Sequence, residues 1–323
     1  MKEGLPLPDQ TFFRDFGQDM LISVTSADGG STIKDFLRRM GASRRIVNRM
    51  KQMENGILLN GERVTVRAVL SEGDTLALAM EDDRPAEPET AVGVPIVRSD
   101  FASSGVRIIY EDGDLIAFSK PAGMPTHISH GHLTDSLLNA AAGLFYERGE
   151  PFVFRPVNRL DRDTSGIVLA AKNQLTAFRM SKRLQSGDVR KRYRAVLTGV
   201  IDPPGGTIES YIRRRESSLI ERISADSGIE SEHAVTVYET VRVSASKDRC
   251  AVDCSPVTGR THQLRVHFMS KGHPIVGDTL YGTPSEEIPR QALHAFELIF
   301  PHPTTGETVI IRDDIPGEIE KLC

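Results

Sequence analysis

The residues best suited to chemistry are concentrated in one stretch, residues 155–172. Its first half alternates cations with carboxylates and sets Asp161 and Asp163 beside Arg159 and Arg162. An ionised aspartate can act as a nucleophile or a general base, and a paired arginine favours the ionised form. Asp, Thr and Ser side chains also close loops by hydrogen bonds to the backbone. The residue types alone therefore leave catalysis and loop closure both open.

The second half of this stretch is apolar and predicts a strand. Residues 167–171 read Ile-Val-Leu-Ala-Ala, which is typical of a strand buried on both faces. A charged turn that leads into such a strand holds a polar side chain at the edge of the core, where neighbours are fixed and water is partly excluded. This is a suitable place for a catalytic carboxylate.

The composition is that of an ordinary globular protein. The chain has 323 residues, of which 39% are hydrophobic and 26% charged, enough for one large or two modest domains. It contains no apolar run long enough to span a bilayer and no pattern of a secretory signal, so we expect no membrane association. Three cysteines are too few for a disulfide framework. These features predict a cytoplasmic protein.

Neither the cysteines nor the histidines predict a metal site. Cys250 and Cys254 are four residues apart in an apolar stretch, so as strand residues they would share one face and pack in the core. His127, His130 and His132 lie in a loop rich in Gly and Leu, without the fixed surroundings that metal-binding histidines need. We therefore expect no metal ion.

The charge is unevenly distributed along the chain. The net charge is −4, yet residues 31–67 contain nine Lys or Arg and three Asp or Glu, an excess of six positive charges. RNA-binding proteins are commonly basic, and a local basic surface is enough for docking. The alternative explanation is an ordinary solvated helix face.

The same segment predicts two short helices followed by a small sheet. Thr32 is a suitable N-cap for the first helix, which we expect to stop at Gly41, and Ser43 can cap the second. Asn60-Gly61 predicts a hairpin turn, and another strand follows Gly73. The first helix has one apolar stripe, formed by Ile33, Phe36, Leu37 and Met40.

A Pro- and Glu-rich stretch, residues 82–104, predicts an extended linker. We therefore expect an N-terminal extension (1–20), a small basic domain (21–81) and a larger domain (105–323) that contains the central stretch. Such a linker also predicts few contacts between the two domains.

The central stretch resembles the signature of a known family. Arg159-Leu160-Asp161, followed after two residues by Thr164-Ser165-Gly166, is similar to the motif of the RluA-type pseudouridine synthases, which isomerise uridine within RNA. The resemblance implies that Asp161 is the catalytic residue. The family motif begins with His, where this chain has Asn158.

Two further runs carry the same resemblance. Residues 191–195, which we expect to form a strand at a sheet edge, match Lys-x-Tyr-x-Ala, and the resemblance implies that Tyr193 stacks on the target base. Residues 259–265 match Gly-Arg-x-His-Gln-Leu-Arg, and the resemblance implies that Arg260 pairs with the catalytic aspartate. Altogether the match covers residues 106–314.

The resemblance also implies a fold and a binding surface. We expect an α+β fold with a mixed, largely antiparallel sheet and flanking helices. The basic N-terminal segment resembles the S4 RNA-binding domain, a small α/β unit. The residues expected to bind the substrate are Arg159, Leu264, Arg44, Arg45, Arg49 and Lys51.

The implied reaction needs no cofactor, because no atoms or electrons enter or leave when uridine becomes pseudouridine. The expected partner is RNA, with ribosomal RNA first and transfer RNA second, and we expect a monomer. Asp161 can attack the sugar, attack the base or take a sugar proton, and the sequence does not choose among these routes.

Two other functions are compatible with parts of this pattern. One is a catalytically silent RNA-binding or ribosome-assembly factor that uses the S4-like unit. The other is a glycosidase that uses Asp161 and Asp163 as its two carboxylates.

Overall fold

The computed structural model describes residues 12–14, 19–40, 42, 44–79, 97–129, 131–150, 153–218, 220–225, 227 and 231–323. Within these residues the chain forms a five-stranded and a ten-stranded sheet. No helix among them is both long and apolar enough to cross a membrane.

The smaller sheet and two helices form the N-terminal unit. Its strands are arranged in the order β1-β2-β5-β3-β4, and each neighbouring pair is antiparallel. The elements are β1 (Phe12–Arg14), β2 (Asp19–Ser23), α1 (Ile33–Arg39), α2 (Arg44–Gln52), β3 (Ile57–Leu59), β4 (Glu62–Arg63) and β5 (Thr75–Ala79).

Several predicted features of this unit are confirmed. The Thr32 side chain caps α1 by accepting a hydrogen bond from the Asp35 N–H at 3.2 Å. Asn60 adopts a φ of 53°, and the Asn-Gly hairpin joins β3 to β4. Gly41 and Ser43, predicted to end α1 and to cap α2, lie outside the described residues.

The division of the N-terminal region was wrong in one respect. Residues 1–20 were expected to be a separate extension, but β1 and the start of β2 belong to the small sheet. Because the two strands are short, this part of the sequence shows no clear hydrophobic periodicity from which strands could be predicted.

The larger sheet builds the rest of the molecule. Its elements are β6 (Arg107–Glu111), β7 (Leu115–Lys120), α3 (Leu137–Glu147), β8 (Ser165–Ala171), α4 (Gln174–Ser186), β9 (Arg190–Thr198), β10 (Gly205–Arg214), β11 (Arg222–Ala225), β12 (Glu232–Val243), β13 (Arg249–Pro256), α5 (Gln263–Ser270), β14 (Leu293–Pro301), β15 (Thr308–Arg312) and α6 (Gly317–Glu320). The strand order is β11-β10-β12-β13-β9-β14-β8-β7-β6, and β15 pairs with β14. All pairs are antiparallel except β8 with β14, which confirms the mixed, largely antiparallel α+β fold.

β8 is buried along its whole length, as its apolar composition predicted. Val168 and Ala170 pack in a core with α3, whereas Ile167 and Leu169 pack on the other face with Met180 of α4. The strand is therefore fixed from both sides of the sheet.

The position of β9 differs from the prediction. It was expected at a sheet edge, but it pairs with β13 on one side and β14 on the other. Its alternating pattern arises because Arg192 and Arg194 lie on a face where they pair with Asp253. Cys250 and Cys254 are both buried on β13, which confirms their assignment to the core.

The two units contact each other more than the linker composition predicted. Leu175 of α4 is fully buried in the core of the N-terminal unit. Arg179 of α4 donates from Nε to the Met40 carbonyl at 3.0 Å. Residues 97–104, assigned to the linker, pack on the larger unit, where the Ser99 N–H donates to the Asn139 carbonyl. Residues 82–96 lie outside the described residues.

Candidate active site

Asp161 lies in the loop that enters β8, the strand that pairs antiparallel with β7 on one side and parallel with β14 on the other. β8 and β14 pair at only two positions, Ser165 with His294 and Gly166 with Ala295. Gly166 has a φ of +115°, and a Cβ there would lie 2.2 Å from the Ala295 carbonyl oxygen. Only glycine fits this approach, which explains the glycine that closes the motif.

Polar contacts anchor the backbone on both sides of Asp161. The Thr126 hydroxyl donates to the Leu160 carbonyl at 3.0 Å and accepts from the Leu160 N–H at 3.2 Å. Lys120 donates from Nζ to the carbonyl of Arg162 at 3.0 Å. Both anchors come from the end of β7 and the segment that follows it, so the loop is held by a neighbouring strand of the sheet.

Asn158 braces the other end of the loop. Its Nδ2 donates to the Ile167 carbonyl, and its Oδ1 accepts from the Leu169 N–H, both at 2.9 Å. The side-chain amide thus makes the two hydrogen bonds that the backbone of a neighbouring strand would otherwise make to β8. This contact explains how the chain holds its turn with asparagine where the family motif has histidine.

Lys120 is a buried cation to which the sequence interpretation assigned no role. Its Nζ has two further acceptors, the carbonyls of Pro121 at 2.9 Å and Met124 at 2.7 Å. Three acceptors match the three N–H groups of an ammonium ion. Burial lowers the pKa of Lys120 to about 7, although the charges of Asp161 and Asp163 oppose this shift.

Replacing Lys120 is expected to loosen the loop. In Lys120→Met three carbonyls lose their donor, so we expect the free energy of unfolding to fall by about 1–3 kcal/mol and turnover to fall by about tenfold or more. Because the pKa is about 7 in the folded chain and 10.5 ordinarily, the parent should gain stability relative to the variant as pH rises across that interval. Urea unfolding at pH 7 and pH 9.5 measures both the loss and its pH dependence.

Lys172→Met is the matched control for Lys120→Met. Lys172 lies at the other end of β8 and pairs with Glu111 at 2.9 Å in a partly exposed position. Its loss should cost about 1 kcal/mol or less. Equal stability and turnover in the two variants would show that Lys120 does not hold the loop.

Asp161 is paired with Arg265. The Arg265 Nη1 donates to Asp161 Oδ2 at 3.3 Å, and Asp278 holds the same guanidinium at 2.7 Å and 2.8 Å. Burial by itself lowers the pKa of Arg265. The hydrogen bonds to Asp278 and Asp161 and the attraction of their charges outweigh burial, so the pKa is raised above its ordinary value. Arg265 therefore presents a fixed positive charge to Asp161.

The predicted pairing of Arg260 with Asp161 is wrong. The Arg260 Nη1 donates to Glu232 at 2.7 Å and Nε donates to the His233 carbonyl at 3.0 Å. Arg260 lies in the turn before α5, which points it toward β12, while Arg265 lies inside the helix.

A signal for Arg265 was present in the sequence. It falls within a helix in which Leu264, Val266 and Phe268 are all buried, and a buried arginine requires a carboxylate partner. The two arginines of the loop, Arg159 and Arg162, were expected to pair with its two aspartates. Arg162 does pair with Asp163, at 2.8 Å, whereas Arg159 is exposed.

Tyr193 and Leu264 line the core side of the site. They are 7% and 6% exposed and belong to one core cluster. Burial, reinforced by the charge of Asp161, raises the pKa of Tyr193, so the side chain is a neutral phenol. Stacking of Tyr193 and contact of Leu264 with a uracil stay predictions.

The basic residues of α2 lie on the N-terminal unit. Arg44 and Lys51 are exposed and Arg49 is half-buried, while the side chain of Arg45 lies outside the described residues. Burial, together with the positive charge of Arg49, lowers the pKa of Arg155 to about 10. Arg155 begins the central stretch, which contains Asp161. The basic surface formed by α2 therefore continues onto the domain that contains the active site.

Comparison with known proteins identifies the family. A family model described as RNA pseudouridylate synthase matches residues 114–270. The RNA pseudouridine synthase YjbO of Bacillus subtilis is 35% identical over 291 residues, which cover 90% of this chain and 98% of that protein. The chain belongs to the RNA pseudouridine synthase family. It is an enzyme that isomerises uridine in RNA.

Other relatives of this synthase agree. The ribosomal large subunit pseudouridine synthase D of Neisseria meningitidis is 34% identical over 227 residues, or 67% of this chain and 59% of that protein. The structure of human RNA pseudouridylate synthase domain containing 1 aligns with a TM-score of 0.54 at 28% identity, covering 65% of this chain and 84% of that one. The family assignment removes the glycosidase alternative. Among the described residues of the synthase, no group of three or more His, Cys, Asp or Glu could hold a metal ion.

Proposed function

We propose that the synthase modifies uridines of ribosomal RNA, with Asp161 as the carboxylate that acts on the substrate and without a metal or cofactor. One observation carries this proposal. Asp161 is 29% exposed and receives a hydrogen bond from Arg265, so it is partly open to a substrate and already paired with a cation. Tyr193 lies close enough for the charge of Asp161 to act on it.

The reaction assigns clear tasks to these groups. The N1–C1′ bond of uridine breaks, the uracil turns, and C5 joins C1′. A carboxylate can assist by attack on the sugar, by attack on the base or by removal of a sugar proton, and each task requires the ionised form. Arg265 favours that form and keeps the carboxylate oriented through its fork of hydrogen bonds.

Ribosomal RNA is supported as the substrate by relatives whose names specify the large ribosomal subunit. Transfer RNA is the alternative. The test is pseudouridine mapping of both RNA classes in cells with and without the gene. Ribosomal positions that lose pseudouridine and regain it with the parent gene support the proposal, whereas a loss confined to transfer RNA contradicts it.

We propose that the synthase acts as a monomer and that its N-terminal unit binds the RNA. Beside α2 lies a groove of about 440 Å³, with an apolar floor that includes Met50 and Ile57. Three cations, Lys51, Arg63 and Arg67, line it. Apolar surface suits an unstacked base, and cations suit the phosphates that flank it. The groove adds Arg63 and Arg67 to the basic residues of α2.

Neutralising the groove is expected to weaken RNA binding. The triple substitution Lys51→Gln, Arg63→Gln, Arg67→Gln should reduce the slope of log affinity against log salt by up to about 2–3, because each phosphate contact contributes about 0.7–0.9. Binding titrations at several salt concentrations measure it.

A control set removes three exposed cations elsewhere, Lys182, Lys247 and Lys321. Because that set has the same charge change, an equal effect of both sets would mean that only net charge matters. Point substitutions are preferable to deletion of the N-terminal unit, since deletion would expose Leu175 and remove the partner of Arg179.

A further inference from the structure

Pseudouridine formation moves a proton from carbon to nitrogen. When C5 has joined C1′, the C5 proton must leave and N1 must gain one, so no net proton is consumed. A proton acceptor must therefore stand beside the uracil at that step. In any route in which Asp161 is bonded to the substrate at that stage, a second group has to take the proton.

His262 lies beside Asp161 and is held in an unusual backbone conformation. Its φ is 57° and its ψ 19°, the left-handed region, and it immediately precedes α5. Residues without a favourable local reason rarely adopt this conformation, and such outliers concentrate at functional sites. Its Nε2 lies 3.9 Å from Asp161 Oδ2, and the side chain is 16% exposed.

The next residue fixes this conformation. The Gln263 side chain donates to the Val235 carbonyl at 2.8 Å and to Thr236 Oγ1 at 3.0 Å. Its Oε1 accepts from the Arg260 N–H at 3.0 Å. The start of α5 is thus tied to β12, and the imidazole is placed by the fold.

A second contact determines which imidazole nitrogen faces Asp161. Nδ1 lies 2.8 Å from Tyr281 Oη, and that oxygen already accepts a hydrogen bond from the Arg222 N–H at 2.8 Å. That oxygen can accept a second hydrogen bond, from Nδ1–H, or donate its own O–H to Nδ1. In the tautomer with the proton on Nδ1, Nε2 carries a free lone pair on the side of Asp161.

The surrounding charges favour a neutral imidazole that can be protonated transiently. Burial lowers the pKa of His262; Asp161 and Asp278 oppose this, whereas Arg265 and Arg222 reinforce it. The ring is therefore neutral near pH 7 and able to accept a proton. Once Nε2 is protonated and the carboxylate of Asp161 is free of the substrate, that carboxylate lies within reach to stabilise the imidazolium.

We propose that His262 is the base that removes the C5 proton of the rearranged uracil, an inference that rests on the proposed role of Asp161. The Nε2 lone pair takes the proton, and the electrons of the C5–H bond restore the C5–C6 double bond. C6 gives up an electron pair in exchange, to the Asp161 carboxylate where that group is bonded to C6 and otherwise to N1. N1 takes up a proton from water, the imidazolium returns its proton to water, and the enzyme is regenerated. Tyr281 acts through His262 as a positioning residue that orients the imidazole ring.

His262→Asn is the most informative variant. Asparagine tolerates the left-handed conformation and can place an amide near Tyr281, but it has no group that accepts the C5 proton. We expect turnover to fall by about 10²–10⁴-fold with RNA affinity and melting temperature little changed. RNA that carries deuterium at C5 should react more slowly than ordinary RNA in this variant, because C5–H cleavage becomes rate-limiting.

Two parallel measurements distinguish the possible failures. His273→Gln removes a half-buried histidine bonded to the Thr198 carbonyl and should retain parental turnover. Asp161→Asn tests the proposed function itself, so an active Asp161→Asn would refute that role independently. If Asp161→Asn is inactive but His262→Asn keeps its rate, loses only RNA affinity or shows no increased deuterium effect, His262 is not the base.

The pH profile supplies a readout that a purely structural role would not change. Imidazolium cannot accept a proton, so in the parent the rate of C5–H cleavage should fall on the acid side, below neutrality, because the pKa of His262 is lowered. Single-turnover rates with C5-deuterated RNA at several pH values follow this step. Retention of the parental acid limb in His262→Asn would overturn the proposal.

Discussion

Asp161→Asn is expected to abolish pseudouridine formation while leaving the fold and RNA affinity nearly intact. Asparagine has the size of aspartate and can still accept the hydrogen bond from Arg265 Nη1, which lies at 3.3 Å from the carboxylate. Only the charge and the nucleophilic or basic oxygen are lost. Since such groups typically contribute 10²–10⁴-fold, residual turnover should be below about one hundredth of the parental value.

The measurement is single-turnover pseudouridine formation with saturating enzyme, accompanied by RNA binding and thermal unfolding. Asp163→Asn is the matched control, because Asp163 lies two residues away and pairs with the exposed Arg162. We expect that variant to retain most of its turnover. If Asp161→Asn kept more than about a hundredth of the rate, or Asp163→Asn lost as much, Asp161 would not be the catalytic carboxylate.

Arg265→Met is expected to cause the second-largest loss. It removes the cation that contacts Asp161 and leaves Asp278 fully buried without its partner. Breaking a buried pair commonly costs about 3–5 kcal/mol, so the fold has to be controlled for. Combining Arg265→Met with Asp278→Asn removes the unpaired charge, and the new amide oxygen can still accept from the backbone N–H groups of Leu280 and Tyr281.

We expect turnover of this double variant to fall by at least about 100-fold, because an oriented charge beside the reacting group is lost. Arg265→Lys should fall by a smaller factor, since lysine keeps the charge but not the planar fork that binds Asp278 at two points. Rates under single-turnover conditions and unfolding in urea are measured for all variants.

Arg260→Met separates the two arginines of the same motif. Arg260 pairs with the exposed Glu232, so its loss should reduce turnover far less than loss of Arg265. A ranking in which Arg260→Met is more damaging than the Arg265 variants would restore the pairing inferred from the sequence alone.

The local elements could largely be predicted because their signals are local. Thr32 caps a helix, Asn60 and Gly61 form a hairpin, and the apolar run that ends at Ala171 is a strand buried on both faces. Each depends on neighbours within a few residues, through capping, turn geometry or side-chain periodicity. The place of Asp161 before a buried strand was likewise predictable, since one segment contains both.

Partners distant in sequence could not be predicted, because the sequence does not specify which cation meets which carboxylate. Arg260 and Arg265 lie in one motif and carry the same charge, and only the start of α5 between them directs one to Glu232 and the other to Asp161. The central position of β9 could not be predicted for a related reason. Alternating arginines are typical of an edge strand, but in the fold Arg192 and Arg194 pair with Asp253 of the neighbouring strand β13.

The sequence by itself thus determined the family, several local elements and the position of Asp161 at the entry to β8. Only the tertiary structure showed that Arg265 contacts Asp161 and that Lys120 binds the backbone of the loop. It also showed that α4 packs in the core of the N-terminal unit. The physical reason is that hydrogen bonds and ion pairs act over about 3 Å. Residues separated by tens or a hundred positions come within that distance only when the sheet has been assembled.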